Sequence, residues 1–186
     1  MAKIFLVRHG QTEDNLKNIF SGWRDVDLTP LGIQEAEKVA EKLKNTPLTK
    51  AYSSDLIRAK HTLAIILQFH PGIKPVEDPR IRERNYGSLT GTSKIELAEK
   101  DPDDFKKWHR SYSVPPPGGG ESIKEVAKRV MPFFQEVLSS ISPTDEVVIA
   151  AHGNSLRPII QYLEHLTDEE IMQREYNPGT LFSYTV

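Results

Sequence analysis

Two stretches near opposite ends of the chain constrain it most. Ile4-Phe5-Leu6-Val7 is an apolar run, β-branched at Ile4 and Val7, that stops abruptly at Arg8-His9-Gly10. Val147-Val148-Ile149-Ala150-Ala151 is a second such run, and it stops at His152-Gly153-Asn154. Unbroken apolar runs of this length read as strands buried on both faces of a sheet. In open α/β sheets, ligands sit in the crevice beyond the carboxyl ends of the strands. Two strands that each deliver His-Gly at that end point to an enzyme.

The rest of the chain alternates accordingly. Gln11 to Asp27 is polar with little periodicity, and reads as a long loop on the active edge. Thr29-Pro30 is an N-cap followed by proline at the first helical position, and Ala36, Val39, Ala40 and Leu43 carry that helix to about Lys44. Ala51 to Ser54 is a short strand, and a helix over roughly Asp55 to Phe69 carries Arg58 in its first turn. An arginine there adds a bidentate fork to a helix terminus that already favours anions. Lys74 to Arg80 is extended and broken by Pro75 and Pro79, and Arg82 to Gly87 is polar without periodicity. Ser93 to Glu96 fits a capping box. Pro115 to Gly120 excludes helix and interior strand. Ile123, Val126, Ala127, Val130, Phe134, Val137, Leu138 and Ile141 trace one face of a long helix containing Pro132. A helix opening at Asn154-Ser155, a capping box at Thr167 to Glu170 and a last strand over Leu181 to Val186 complete the pattern. No repeat or linker interrupts it. The expectation is a single α/β domain over residues 1–186, a three-layer sandwich with a mostly parallel central sheet flanked by helices.

With 186 residues, 38% of them apolar, one well-buried core is expected. A formal charge of −2 gives no global attraction for nucleic acid or an anionic membrane, so neither is expected as a partner. An anionic substrate would need a local cluster of cations. The absence of cysteine excludes disulfides and thiolate chemistry. Only Ala2-Lys3 precedes the first strand, so no secretory signal is expected, and a cytoplasmic location follows. Nothing fits a metal site either, since no His-Glu-x-x-His or close His/Asp cluster occurs. Gly153 to Arg157 lacks the final glycine of a nucleophile elbow, and Gly118-Gly119-Gly120 lacks the lysine of a P-loop.

Two histidines and two or three arginines converging beside helix N-termini suit a phosphoryl group. A neutral imidazole is a competent nucleophile, and in-line transfer otherwise needs positioning and charge stabilisation, which arginines and a second imidazole supply. A carboxylate must protonate the leaving oxygen; Glu83 is the candidate, although by itself it could equally pair with Arg82 or Arg84. His61, His70 and His165 read as packing or surface residues, and Trp23 and Trp108 as loop anchors.

Leu6 to Gly10 resembles the signature of the histidine phosphatase superfamily, and Ala150 to Ser155 resembles its second histidine motif. Phe20 to Trp23, Glu83 to Gly91 and Trp108 to Pro117 resemble one branch, the cofactor-dependent phosphoglycerate mutases. The resemblance implies a phosphoglycerate mutase-like fold and interconversion of 3- and 2-phosphoglycerate through a phosphohistidine, in glycolysis and gluconeogenesis. It implies 2,3-bisphosphoglycerate as primer and no metal, in a monomer or homodimer. His9 would be phosphorylated, with Arg8, Arg58 and His152 forming the phosphate pocket and Glu83 exchanging the proton. Thr12, Asn15, Ser21, Gly22, Tyr86, Lys94, Arg110, Gly153 and Asn154 would contact substrate. Three departures point toward the alternative, a phosphomonoester phosphatase on the same fold. His109-Arg110 stands where the mutases usually present two arginines, Pro117 passes almost directly to Gly118-Gly119-Gly120-Glu121-Ser122 without the common insertion, and the sequence stops at Val186. A catalytically silent phosphate-binding module is disfavoured because Arg8, His9, Arg58, Glu83 and His152 are all in place.

Overall fold

Strand β1 (Lys3–Arg8) pairs in parallel with β4 (Glu146–Ala151), with Val7 opposite Ala150 and Arg8 opposite Ala151. The two His-Gly motifs therefore leave the sheet side by side, and the His9 N–H donates to the Ala151 carbonyl at 3.1 Å. This computed structural model describes residues 1–186, the Arg110 side chain excepted. The sheet has the order β3-β2-β4-β1-β5. Strands β2 (Lys50–Ser53) and β3 (Val76–Glu77) continue it in parallel, and β5 (Leu181–Thr185) closes the other edge antiparallel to β1.

Alternation along β1 and β4 divides the core in two, because successive side chains of a strand point to opposite faces. Ile4, Leu6, Val147 and Ile149 face Val130, Phe134, Leu156 and Ile160 of α6 (Ile123–Ser140) and α7 (Gly153–Glu164). Phe5, Val7, Val148 and Ala150 face Val39, Leu43, Leu63 and Ile66 of α2 (Pro30–Leu43) and α3 (Ile57–Leu67). This is the expected three-layer arrangement. The Thr29 hydroxyl caps α2 with Pro30 at its start, and the Thr167 capping box opens α8 (Asp168–Gln173) as anticipated. Helix α6 runs through Pro132.

Two regions are more regular than their sequence suggests. The stretch read as a loop from Gln11 contains a one-turn helix, α1 (Glu13–Leu16), because Thr12 and Asn15 cap each other. The short helix α4 (Lys94–Lys100) is followed by α5 (Pro102–Arg110), started by the Asp101 carboxylate and by proline in its first turn. Phe105 and Trp108 of α5 pack with Phe20, Tyr86 and Leu89 in a small third cluster beneath the active edge. No helix is long and apolar enough to cross a membrane among the described residues.

Candidate active site

The site is built where β1 and β4 end. His9 and His152 are buried with ring centroids 5.0 Å apart. Arg58, also buried in the first turn of α3, lies between them: its single Nε–H is shared by His9 Nε2 at 3.3 Å and His152 Nδ1 at 3.2 Å. A guanidinium only donates, so both imidazole nitrogens accept. The second ring nitrogens agree. His9 Nδ1 lies 2.7 Å from the Gly10 carbonyl, which only accepts, so Nδ1 carries the proton and Nε2 keeps its lone pair. His152 Nε2, 2.6 Å from Ser54 Oγ, donates to that hydroxyl. Burial holds the pKa of both histidines well below the ordinary value of 6.5, reinforced by the Arg58 and Arg8 charges. Both rings are neutral at pH 7, and His9 presents an unprotonated Nε2.

Arg8 reaches the same space from the last residue of β1. One of its terminal nitrogens donates to the Tyr176 carbonyl, while its buried Nε–H has no protein partner. Burial lowers the pKa of Arg8 and of Arg58, although Glu83 opposes this in each case; from so high a starting value both stay charged. One donor on each Arg58 terminal nitrogen reaches a carbonyl, Arg24 at 2.7 Å and Gly22 at 2.8 Å, so the loop after α1 is tied to the histidine end of the pocket.

Glu83 makes neither salt bridge left open by the sequence. Arg82 instead pairs with Asp55, Nε to Oδ1 at 2.7 Å, and Arg84 donates to the carbonyls of Trp108, Val114 and Glu121. The Glu83 carboxylate accepts the backbone N–H groups of Arg84 at 2.7 Å and of Asn154 at 3.2 Å, the latter in the first turn of α7. Tyr86 beside it is buried, its phenol pushed up by burial and by Glu83, and accepts from Asn154 Nδ2 at 2.9 Å.

Asn15, Ser21, Gly22, Tyr86, Lys94, Gly153 and Asn154 all line the pocket with Arg8, His9, Arg58 and Glu83. Thr12 does not: it is fully buried and acts through Asn15, whose side-chain oxygen it holds at 3.1 Å. Arg110 lies outside the described side chains. His109 lines the pocket from α5 and stacks on Phe105 with centroids 5.0 Å apart. The Trp23 indole N–H donates to the Glu83 carbonyl at 2.7 Å, while Trp108 lies in helix α5 instead of a loop and its ring packs against the Phe20, Tyr86 and Leu89 cluster.

Sequence reasoning missed Arg157, Glu175 and Tyr176, which form the far wall. Arg157 donates to Asn154 Oδ1 at 3.2 Å and to the carbonyls of Ile171 and Arg174, and stacks over the Tyr176 ring at 5.4 Å. Its spacing of three from Asn154 at a helix start was the available signal. Among the described residues that line the pocket, the cations Arg8, Arg58, Lys94 and Arg157 outnumber the carboxylates Glu83 and Glu175, the local cationic cluster that a chain of net charge −2 needs to hold an anion. Among the described residues, no group of three or more His, Asp or Glu side chains is arranged to hold a metal ion.

The chain is 44% identical to a 2,3-bisphosphoglycerate-dependent phosphoglycerate mutase of Bradyrhizobium sp., over 97% of this chain and 90% of the relative. It is 45% identical, with the same coverage, to the protein of that name from Nitrobacter winogradskyi. Among solved structures, a mycobacterial glucosyl-3-phosphoglycerate phosphatase complexed with VO3 superposes with a TM-score of 0.88 at 27% identity, over 97% of this chain and 91% of that one. The sequence pattern of the histidine phosphatase superfamily (branch 1) matches residues 4–185, nearly the whole chain, and the chain belongs to that superfamily.

Proposed function

We propose that this protein is a phosphoglycerate mutase, interconverting 3- and 2-phosphoglycerate through phosphorylated His9. The observation that carries the reading is the shared Arg58 N–H, which leaves two neutral imidazoles facing a cationic pocket with His9 Nε2 unprotonated. The likeness to curated mutases supports it. The pocket also has unmet donors for a doubly anionic ligand, since Arg8 Nε and Ser21 Oγ are buried without partners.

In this mechanism 2,3-bisphosphoglycerate supplies the phosphoryl group that loads the enzyme. The His9 Nε2 lone pair forms the P–N bond as the P–O bond breaks, and Glu83 gives its proton to the departing oxygen. Arg8 and Arg58 balance the charge on the equatorial oxygens. In the return step Glu83 takes the proton from the acceptor hydroxyl, whose oxygen attacks phosphorus while the P–N electrons return to Nε2. Lys94 and Asn15, which also line the pocket, hold the second anionic end of the substrate.

A phosphatase is the second reading, motivated by His109 and by the phosphatase among the similar structures. Supplying 3-phosphoglycerate with and without a trace of 2,3-bisphosphoglycerate, while following 2-phosphoglycerate and free phosphate together, separates the two. Isomer formed only after priming supports the mutase; free phosphate without isomer refutes it.

A further inference from the structure

The mechanism above makes no use of two charged side chains that hold the Glu83 segment from behind. Arg129, on the second turn of α6, spends all five guanidinium donors there. Its Nε and one Nη2 proton pair with the two Glu121 carboxylate oxygens at 2.7 and 2.9 Å. The others reach the carbonyls of Arg80 at 2.7 Å, Arg82 at 2.8 Å and Glu83 at 2.9 Å. Glu121, just before the Ser122 cap of α6, accepts the Asn85 N–H on Oε2 at 2.8 Å, and its own N–H donates to the Asn85 carbonyl at 2.8 Å. The pair thus grips residues 80–85 at five points, with Glu83 in the middle. Each side chain is only 19% exposed, and neither lines the pocket.

The segment needs this grip because it has no regular structure between the 3₁₀ turns at Pro79–Ile81 and Gly87–Leu89. Its carbonyls find partners in side chains instead of a ladder, and buried carbonyls must find some. A rigid helix therefore fixes the backbone from which the Glu83 carboxyl is aimed. We propose that Glu121 and Arg129 are positioning residues for proton transfer by Glu83, setting the distance from its carboxyl to the leaving oxygen without touching substrate. The inference rests on Glu83 being the proton donor.

The test uses two phosphoryl donors that differ in their need for a proton. When His9 Nε2 attacks 2,3-bisphosphoglycerate, the broken P–O bond leaves an alkoxide that requires Glu83. When it attacks acetyl phosphate, the same bond leaves acetate, a stable anion that requires no proton. A misplaced catalytic group costs up to about 100-fold. Rapid-quench labelling of His9 in Arg129→Lys should therefore slow about 10- to 100-fold with the bisphosphate and less than about threefold with acetyl phosphate. Glu121→Gln, which keeps an oxygen for Asn85 but loses the charge, should show the same selectivity more weakly and carries the test alone should Arg129→Lys not fold. Equal slowing with both donors, or none with either, overturns the inference. Glu83→Gln is the internal reference: if it lacks the selectivity, the assignment of Glu83 fails instead, whatever the other two variants do.

Discussion

The two neutral buried histidines should make this fold acid-sensitive in a calculable way. Both pKa values are lowered from 6.5 in the native state, by burial first and by Arg58 next, and return to that value when the chain unfolds. Below pH 6.5 the unfolded state therefore binds protons that the native state refuses, so stability falls as pH falls, beginning at the unfolded pKa and ending below the folded one. For a group that stays neutral in the native state, going from pH 6 to pH 5 costs about 1 kcal/mol, hence about 2 kcal/mol for the pair. In a domain of this size that is about 4–8 °C in Tm. The perturbation is His9→Asn combined with His152→Asn, which removes both titrations while the other four histidines and all carboxylates remain. Urea unfolding at pH 7.5, 6.0 and 5.0 gives the slope for each protein, and the wild type should lose about 2 kcal/mol more than the variant across the last unit. Parallel slopes would mean that both imidazoles accept a proton in the native state, and the argument from the shared Arg58 N–H would be wrong.

Other expectations follow from the same contacts. Glu83→Gln should lower kcat about 100- to 10,000-fold with little change in KM, checked by steady-state turnover of 3-phosphoglycerate. Ser54→Ala leaves the His152 Nε2–H unpaired in the interior and should cost about 1–3 kcal/mol, read by chemical denaturation at pH 7.5, with nitrogen NMR reporting any change of the His152 tautomer. Gly87→Ala forces a left-handed residue at φ +56° and places its Cβ 2.2 Å from the Pro117 carbonyl, so a loss of about 2–5 kcal/mol is expected by the same denaturation assay. His109→Arg adds a permanent charge at the pocket wall and should raise the ratio of 2-phosphoglycerate to free phosphate; an unchanged product ratio would remove His109 from any role in partitioning.

What the sequence made legible follows from how each element is stabilised. The buried parallel strands leave no room for polar residues, so β1 and β4 appear as unbroken apolar runs with their histidines at the ends. Caps are equally local, which is why Thr29-Pro30 and Thr167 to Glu170 place α2 and α8. Helix α5 was invisible because only Phe105 and Trp108 give it an apolar face, among charged residues. The one-turn α1 is too short to have a period at all. Arg84 and Arg129 were missed for a different reason: arginine is ordinarily a surface residue, and nothing local distinguishes one that disappears into carbonyl groups.

Those buried arginines bear on the choice between transfer and hydrolysis. The short connection after the proline run does not decide it, because 187 aligned positions cover 97% of this chain and 90% of a relative carrying the mutase name, leaving no space for a long insertion in that relative. In the proposed mechanism, what matters is whether water reaches His9 while it carries a phosphoryl group. Three segments that neighbour pocket residues are each fastened through carbonyls by an arginine: Gly22 and Arg24 by Arg58, Trp108, Val114 and Glu121 by Arg84, and Ile171 and Arg174 by Arg157. Arg8 adds a fourth fastening at Tyr176. An arginine bonded to two or three carbonyls fixes their relative positions as no single lysine could. These segments are therefore held before substrate arrives, and a pocket so fixed can favour a bound hydroxyl over water by position alone.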